Sequence, residues 1–93
     1  MKFEWDKNKA AKNINKHRIS FDEARSVFND PEFITLVDEE HSTYEERYIS
    51  IGLSKNGRLL ILAHTDHEGR IRIISARKTT KKEEAFYENS EWL

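Results

Sequence analysis

The sequence predicts an α+β fold in which N-terminal helices and a C-terminal helix pack on an antiparallel β-sheet, a meander. Three observations predict it. Helix-start signals stand at Asp6, Ser20 and Thr80, apolar strand-like runs follow one another from Phe33 to Arg77 with no helix signal between them, and Asn56-Gly57 separates two of those runs as a hairpin turn. With 93 residues, the chain is expected to form a single domain over 1–93, too short to divide into two.

Residues 2–5 alternate in polarity and predict a short strand. Asp6 is a good N-cap, and Lys7 to His17 contains only helix-tolerant residues, with Ala10, Ile14 and His17 on one face. Ser20-Phe21-Asp22-Glu23 reads as a capping box, in which the Ser20 hydroxyl meets the Glu23 amide while the Glu23 side chain reaches back, and Ile19 and Ala24 form a staple. This second helix runs to about Phe28 and stops before Asp30-Pro31, because a residue preceding proline avoids the helical region. Phe33 to Asp38 and Arg47 to Leu53 predict strands on either side of an acidic loop. Asn56 and Gly57 both tolerate positive φ, so a two-residue turn there would pair Leu53 with Leu60, Ile51 with Leu62 and Ile49 with His64. Arg58 to Thr65 is the most apolar strand and is expected at the centre. The turn leading to the strand Arg70 to Arg77 has two closures: a four-residue loop Asp66 to Gly69 sets His64 opposite Ile71, with His64 and Arg77 on one face; a three-residue loop His67 to Gly69 sets His64 opposite Arg72, with Arg77 on the far side. Thr80-Lys81-Lys82-Glu83 is a second capping box, starting a helix around Phe86 and Tyr87.

Composition narrows the function classes. No cysteine is present, which excludes disulfides, thiol nucleophiles and thiolate metal sites. No apolar run approaches a membrane span and no signal-peptide core begins the chain, so a soluble, cytoplasmic protein is expected. A formal net charge of −1 conceals segregation: Lys7 to Arg18 and Arg70 to Lys82 hold 11 of the 16 Lys and Arg residues and no acid, whereas Asp22 to Glu46 holds nine acids against Arg25 alone. If the fold joins the two basic stretches, they make a surface able to hold a polyanion; the plainer alternative is a solvated helix and an edge strand. A domain of this size leaves much apolar surface exposed, so a stabilising partner or a homodimer contact is expected. His64-x-x-His67 lacks a third and fourth ligand and the acids crowd around Asp38-Glu39-Glu40, so neither metal nor other cofactor is expected.

In this outline the chain resembles the BrnT toxins, the ribonuclease halves of bacterial type II toxin–antitoxin pairs. The matching residues are Phe3-Glu4-Trp5-Asp6 with Lys9; Asn13, Lys16-His17, Ile19-Ser20-Phe21 and Glu23-Ala24; Phe28-Asn29-Asp30-Pro31; Arg47, Ile51-Gly52, Gly57-Arg58 and His64-Thr65; and Arg72-Ile73-Ile74-Ser75-Ala76-Arg77, with Glu83 and Tyr87. Lys7 departs from the family's usual proline and Arg18 from its usual glycine. The resemblance implies a RelE-like fold, cleavage of translated mRNA, and neutralisation by a BrnA-like ribbon-helix-helix antitoxin through which alone the pair would contact operator DNA. The charge pattern by itself equally fits a non-catalytic nucleic-acid-binding module, and a protein-interaction subunit is the third class.

Metal-free RNA cleavage needs a base for the 2′-hydroxyl, an acid for the leaving 5′-oxygen and cations for the phosphate. Arg72 and Arg77 are the leading catalytic candidates, because guanidinium holds phosphate bidentately at any working pH. His64 joins them in one closure or the other; a buried, hydrogen-bonded histidine is its alternative. Lys9 and Lys16, seven apart on one helix face, are substrate-binding candidates on the strength of the resemblance, together with Arg70 and with His17, whose other reading is a helix-end residue favoured by the dipole. Glu23 is assigned to its cap, Arg47 to an ion pair after Glu45-Glu46, and Phe3, Trp5 and Phe21 to the core.

Overall fold

The computed structural model describes residues 1–89. Strand β1 (Lys2–Glu4) leads into helix α1 (Lys7–His17) and the short helix α2 (Phe21–Arg25). A 3-10 turn at Ser26–Asn29 takes over where the second helix was expected to continue. Strands β2 (Ile34–Val37), β3 (Arg47–Leu53), β4 (Leu59–His67) and β5 (Arg70–Lys78) precede helix α3 (Lys81–Glu88). The fold is α+β, with one sheet in the order β1-β5-β4-β3-β2.

The sheet is mixed rather than antiparallel throughout. Strands β2 to β5 form an antiparallel meander, while β1 pairs in parallel with β5, Glu4 lying opposite Arg72. Two helices follow β1, which gives the chain the long crossover that a parallel pairing requires. Beyond Glu4 the edge of β5 is taken up by α1. The Asn13 amide donates to the carbonyl of Ala76 at 2.9 Å and accepts from its N–H at 3.1 Å, as a neighbouring strand would, and donates to the Ile19 carbonyl at 2.9 Å. A helix thereby continues a sheet edge, and its C-terminal residues lie along β5.

Both hairpin turns differ from expectation, and they differ by exchange. At the first, Ser54 N–H donates to the Arg58 carbonyl at 2.8 Å and Gly57 N–H to the Ser54 carbonyl at 2.9 Å, so the loop has three residues and only Gly57, at φ 76°, is left-handed. Leu53 therefore pairs with Leu59 and Ile51 with Ile61, one residue away from the expected register. The cause is tertiary. Ser54 Oγ donates to Glu23 at 2.6 Å and accepts from the amides of Asn56 and Arg58, and Lys55 N–H donates to Ser26 Oγ at 2.8 Å. At the second turn, Glu68 (φ 51°) and Gly69 (φ 82°) alone bridge His67 and Arg70, the two-residue geometry anticipated for Asn56-Gly57. Neither expected closure forms.

Glu23 supplies the other correction. Ser20 Oγ accepts from the Glu23 amide at 3.0 Å, but the carboxylate turns to Ser54 and to the Arg58 guanidinium rather than back to the cap. At Thr80 and Glu83 both halves of the box form.

One face of the sheet buries the core. Leu60 and Leu62 of β4, Ile73 and Ala76 of β5, and Ile19, Phe21, Ala24 and Val27 of the α2 region are packed together, with Phe3, Trp5, Phe28 and Phe33 around them. Trp5 meets Phe21 edge to face at 6.0 Å, as expected of a core pair. Gly52 permits this closeness, since a Cβ there would lie 2.8 Å from Val27 Cγ1 and 3.0 Å from Phe33 Cβ.

Candidate active site

The opposite, more open face of the sheet carries the basic residues, with Ile51, Ile61 and Thr65 buried among them. Alternation along β5 places Arg70 and Arg72 on it, and simple alternation would then turn Arg77 away. A β-bulge intervenes: Ala63 pairs with Ser75 but His64 pairs with Ile73, leaving Ile74 as the extra residue. The phase resets, so Arg72 (opposite Thr65) and Arg77 (opposite Ile61) stand on one face.

Arg72 belongs to a cluster with two residues that the sequence did not mark as catalytic or substrate-binding, Glu4 and His67. Glu4 Oε2 accepts from Arg72 Nε at 2.7 Å and lies 2.9 Å from His67 Nδ1, which is also 3.0 Å from Arg72 Nη2. A protonated Nδ1 donates to Glu4; an unprotonated one accepts from Arg72. The Arg72 hydrogen bond, with help from His67, holds the Glu4 carboxyl below the ordinary range, so it is ionised at neutral pH. Arg70 lies 3.7 Å from the same carboxylate. Lys9, Trp5 and Ile74 complete a hollow of about 410 Å³ around Glu4 and Arg72. Only the register brings Glu4 to Arg72, and only the two-residue turn brings His67 beside them.

Arg77 stands in a second hollow of about 360 Å³ with Lys16, His17, Ile61 and Ser75. It is gripped bidentately by Glu83, with both N···O distances 2.9 Å. The paired charges push Arg77 up and Glu83 down from their usual values. Asn13 accounts for the neighbours: by pinning α1 to Ala76 it delivers Lys16 and His17 to this hollow. Lys9 and Lys16 thus serve different hollows.

His64 does not join either arginine. It is 6% exposed on the core face, where Nε2 lies 2.7 Å from Ser50 Oγ, the ring stacks on Tyr48 at 5.7 Å, and Phe28 meets its edge at 5.2 Å. Burial pulls its pKa down to about 4, so the ring is neutral near pH 7. His64 and His67 point to opposite faces of β4 and cannot share a metal ion. Among the described residues, no group of three or more His, Asp or Glu side chains is placed to hold one. No helix among them is long and apolar enough to cross a membrane.

A third hollow lies between these strands and the segment 38–46. Arg47 and Thr65 face each other across β3 and β4, in line with Arg72 and Glu4. The expected ion pair of Arg47 with Glu45 or Glu46 does not form, and no other acid among the described residues takes its place. Glu46 is instead bonded to the Tyr48 hydroxyl at 2.9 Å.

A family model described as "Ribonuclease toxin, BrnT, of type II toxin-antitoxin system" matches residues 5–83. The crystal structure of the Brucella abortus ribonuclease toxin BrnT superposes with a TM-score of 0.64 at 20% identity, over 87% of this chain and 99% of that one. No curated protein matches in sequence.

Proposed function

The chain belongs to the BrnT family of ribonuclease toxins of type II toxin–antitoxin systems, and from that premise we propose that it cuts RNA on the open face of its sheet. The observation that carries this reading is the bulge at Ile74, which sets Arg72 and Arg77 on one surface with Lys9, Lys16 and His17 along its margin. The 2′-hydroxyl of the RNA is the nucleophile. Attack on the adjacent phosphorus forms a 2′,3′-cyclic phosphate and expels the 5′-oxygen of the next nucleotide. Arg72 and Arg77 bind phosphates of the chain and hold the charge that grows on the reacting one. His67, whose Nδ1 can donate a hydrogen bond to Glu4 or accept one from Arg72, takes the proton from the 2′-hydroxyl at its other ring nitrogen and returns it to the departing 5′-oxygen, and Glu4 fixes its orientation. His64 has no part in the chemistry. Glu4 and Glu83 occupy the guanidinium edges that phosphate would use, so RNA must displace or share them.

A type II toxin is paired with an antitoxin protein. We take this partner to be a BrnA-like ribbon-helix-helix protein that covers the basic face, blocks translated mRNA from it in the cytoplasm, and brings the complex to operator DNA.

The test uses purified protein and RNA in excess chelator. Cleavage is expected to persist and leave 2′,3′-cyclic ends, and loss of activity restored by magnesium would overturn the mechanism. Arg72→Ala and Arg77→Ala should each lower cleavage by roughly 10²-fold or more while weakening RNA binding by only ~1–3 kcal/mol. His67→Ala should be as damaging to cleavage, whereas His64→Asn should retain it if folded. Equal losses of binding and cleavage in the arginine variants would mark them as holding groups only.

A further inference from the structure

Among the described residues, Thr65 Oγ1 and Arg47 Nε are the buried side-chain polar atoms that have no hydrogen-bond partner. Thr65 is 3% exposed, and the two residues are direct cross-strand partners on the open face. A buried donor without a partner costs stability, and valine would fill the same volume without that cost, so a hydroxyl kept here needs an explanation outside the packing. Arg47 contrasts with the other open-face arginines. Arg72 is bonded to Glu4 and Arg77 to Glu83, but Arg47 makes no ion pair among the described residues.

Thr65 and Arg47 both line the hollow of about 190 Å³ together with Ile74, His41, Tyr44 and Glu45, and the two unpaired atoms lie buried at its wall, so a ligand reaches them by a small shift of the two side chains. The hollow is not slack beneath a loose loop. Asp38 N–H donates to the Arg47 carbonyl at 2.7 Å, Arg47 N–H donates to Ser42 Oγ at 2.9 Å, Ser42 Oγ donates to the Asp38 carbonyl at 2.7 Å, and His41 Nδ1 lies 2.9 Å from Asp38. The roof is tied to the first residue of β3. Tyr44 is fully exposed at the rim, where its ring is available for stacking. Glu45 is the carboxylate among the lining residues and is exposed to solvent.

We propose that Arg47 and Thr65 form a phosphate subsite that holds single-stranded RNA one step along from Arg72, with Arg47 supplying the charge, Thr65 the hydrogen bond and Tyr44 a platform for the adjoining base. Strand pairing places Thr65 directly between Arg47 and Arg72, so the two guanidinium groups start two strand spacings apart, roughly 9–10 Å at the backbone. A polyanion lying across β3, β4 and β5 meets the uncommitted arginine first and the carboxylate-bound one next. The subsite rests on the reading of this face as the RNA surface, and its test separates the two.

Binding is measured with inorganic phosphate, followed at the Arg47 Nε–Hε resonance, and with a six-nucleotide 2′-deoxy strand, which offers phosphates but cannot be cut. Phosphate should shift the Arg47 resonance saturably. Arg47→Gln and Thr65→Val should each weaken hexanucleotide binding about 5- to 10-fold, and Arg47→Gln should reduce the salt-dependence slope by about 0.7, the release expected for one single-strand phosphate. Thr65→Val should melt at or above the parent temperature, since it removes an unpaired buried hydroxyl. The proposal is overturned by an unperturbed Arg47 resonance, by hexanucleotide affinity unchanged in both variants even if free phosphate binds, or by a Thr65→Val protein that melts several degrees lower. If those variants lose affinity but the parent never cleaves RNA, the subsite stands and the ribonuclease reading falls. If the parent cleaves and the variants bind normally, the reverse holds.

Discussion

Arg18 ends α1 in the left-handed region, at φ 61°, with its N–H donating to the Ile14 carbonyl at 2.9 Å. A residue with a Cβ is strained there, and glycine relieves the strain at some cost in unfolded-state entropy. Arg18→Gly should therefore stabilise the protein by about 0.5–1 kcal/mol, read as a higher urea midpoint at constant slope; destabilisation would refute the strain argument. The value of knowing residue types also has limits at this scale. Arginines 72 and 77 were sensible phosphate ligands from their chemistry, but the groups that accompany them, Glu4 and His67, carry no local signal. Glu4 ends one strand and His67 another, and 63 positions separate them. Arg47 escapes its expected acids for a converse reason: Glu46 is bonded to the Tyr48 hydroxyl, and Glu45, though it lines the same hollow, is exposed to solvent.

At the scale of elements, Asn13 makes a clear prediction. Its amide carries three hydrogen bonds that fix α1 to β5 and to the chain after the helix. Asn13→Ala should cost on the order of 2–4 kcal/mol, because buried partners on Ala76 and Ile19 are left unsatisfied. It should also weaken RNA binding while Lys16 and His17 remain in the chain; unchanged stability with unchanged binding would show that α1 is held by other contacts. Helix starts were legible because capping is local: Asp6, Ser20 and Thr80 each accept from backbone amides two or three residues on. Turns were less so. Asn56-Gly57 carries the stronger two-residue signal, yet Ser54, held by Glu23 of α2, imposes a wider loop, and Glu68 accepts the positive φ that Asn56 declines. The parallel pairing of β1 and the bulge at Ile74 have no sequence signature of their own.

The whole molecule should be acid-labile in two stages. The unfolded chain takes up a proton on His64 near its ordinary 6.5 and the folded protein only near about 4, so the stability conferred by a neutral His64 is complete above 6.5 and drains as pH falls through that interval. Glu23, held at about 2 chiefly by Arg58 against an ordinary 4.5, contributes stability that is complete above 4.5 and is lost as pH falls towards 2. Each window is worth on the order of 3 kcal/mol, a large part of what so small a domain possesses. Thermal melts from pH 8 to 3 are expected to show Tm falling below about 6.5 in the parent, whereas His64→Asn holds its Tm until the Glu23 window opens; a parent Tm that is flat down to pH 4 would count against both assignments. The bulge bears differently on inheritance. An in-frame loss of the single codon for Ile74 would let Ile73 and Ser75 keep their partners His64 and Ala63 in unbroken alternation, so Arg77 would stay on the face of Arg72. Loss of the codon for Ala76 would instead move Arg77 to the place opposite Leu62, on the covered side, with every ionic residue still in the gene, and a search for inactivated copies that checks only whether those residues are present would pass it as intact.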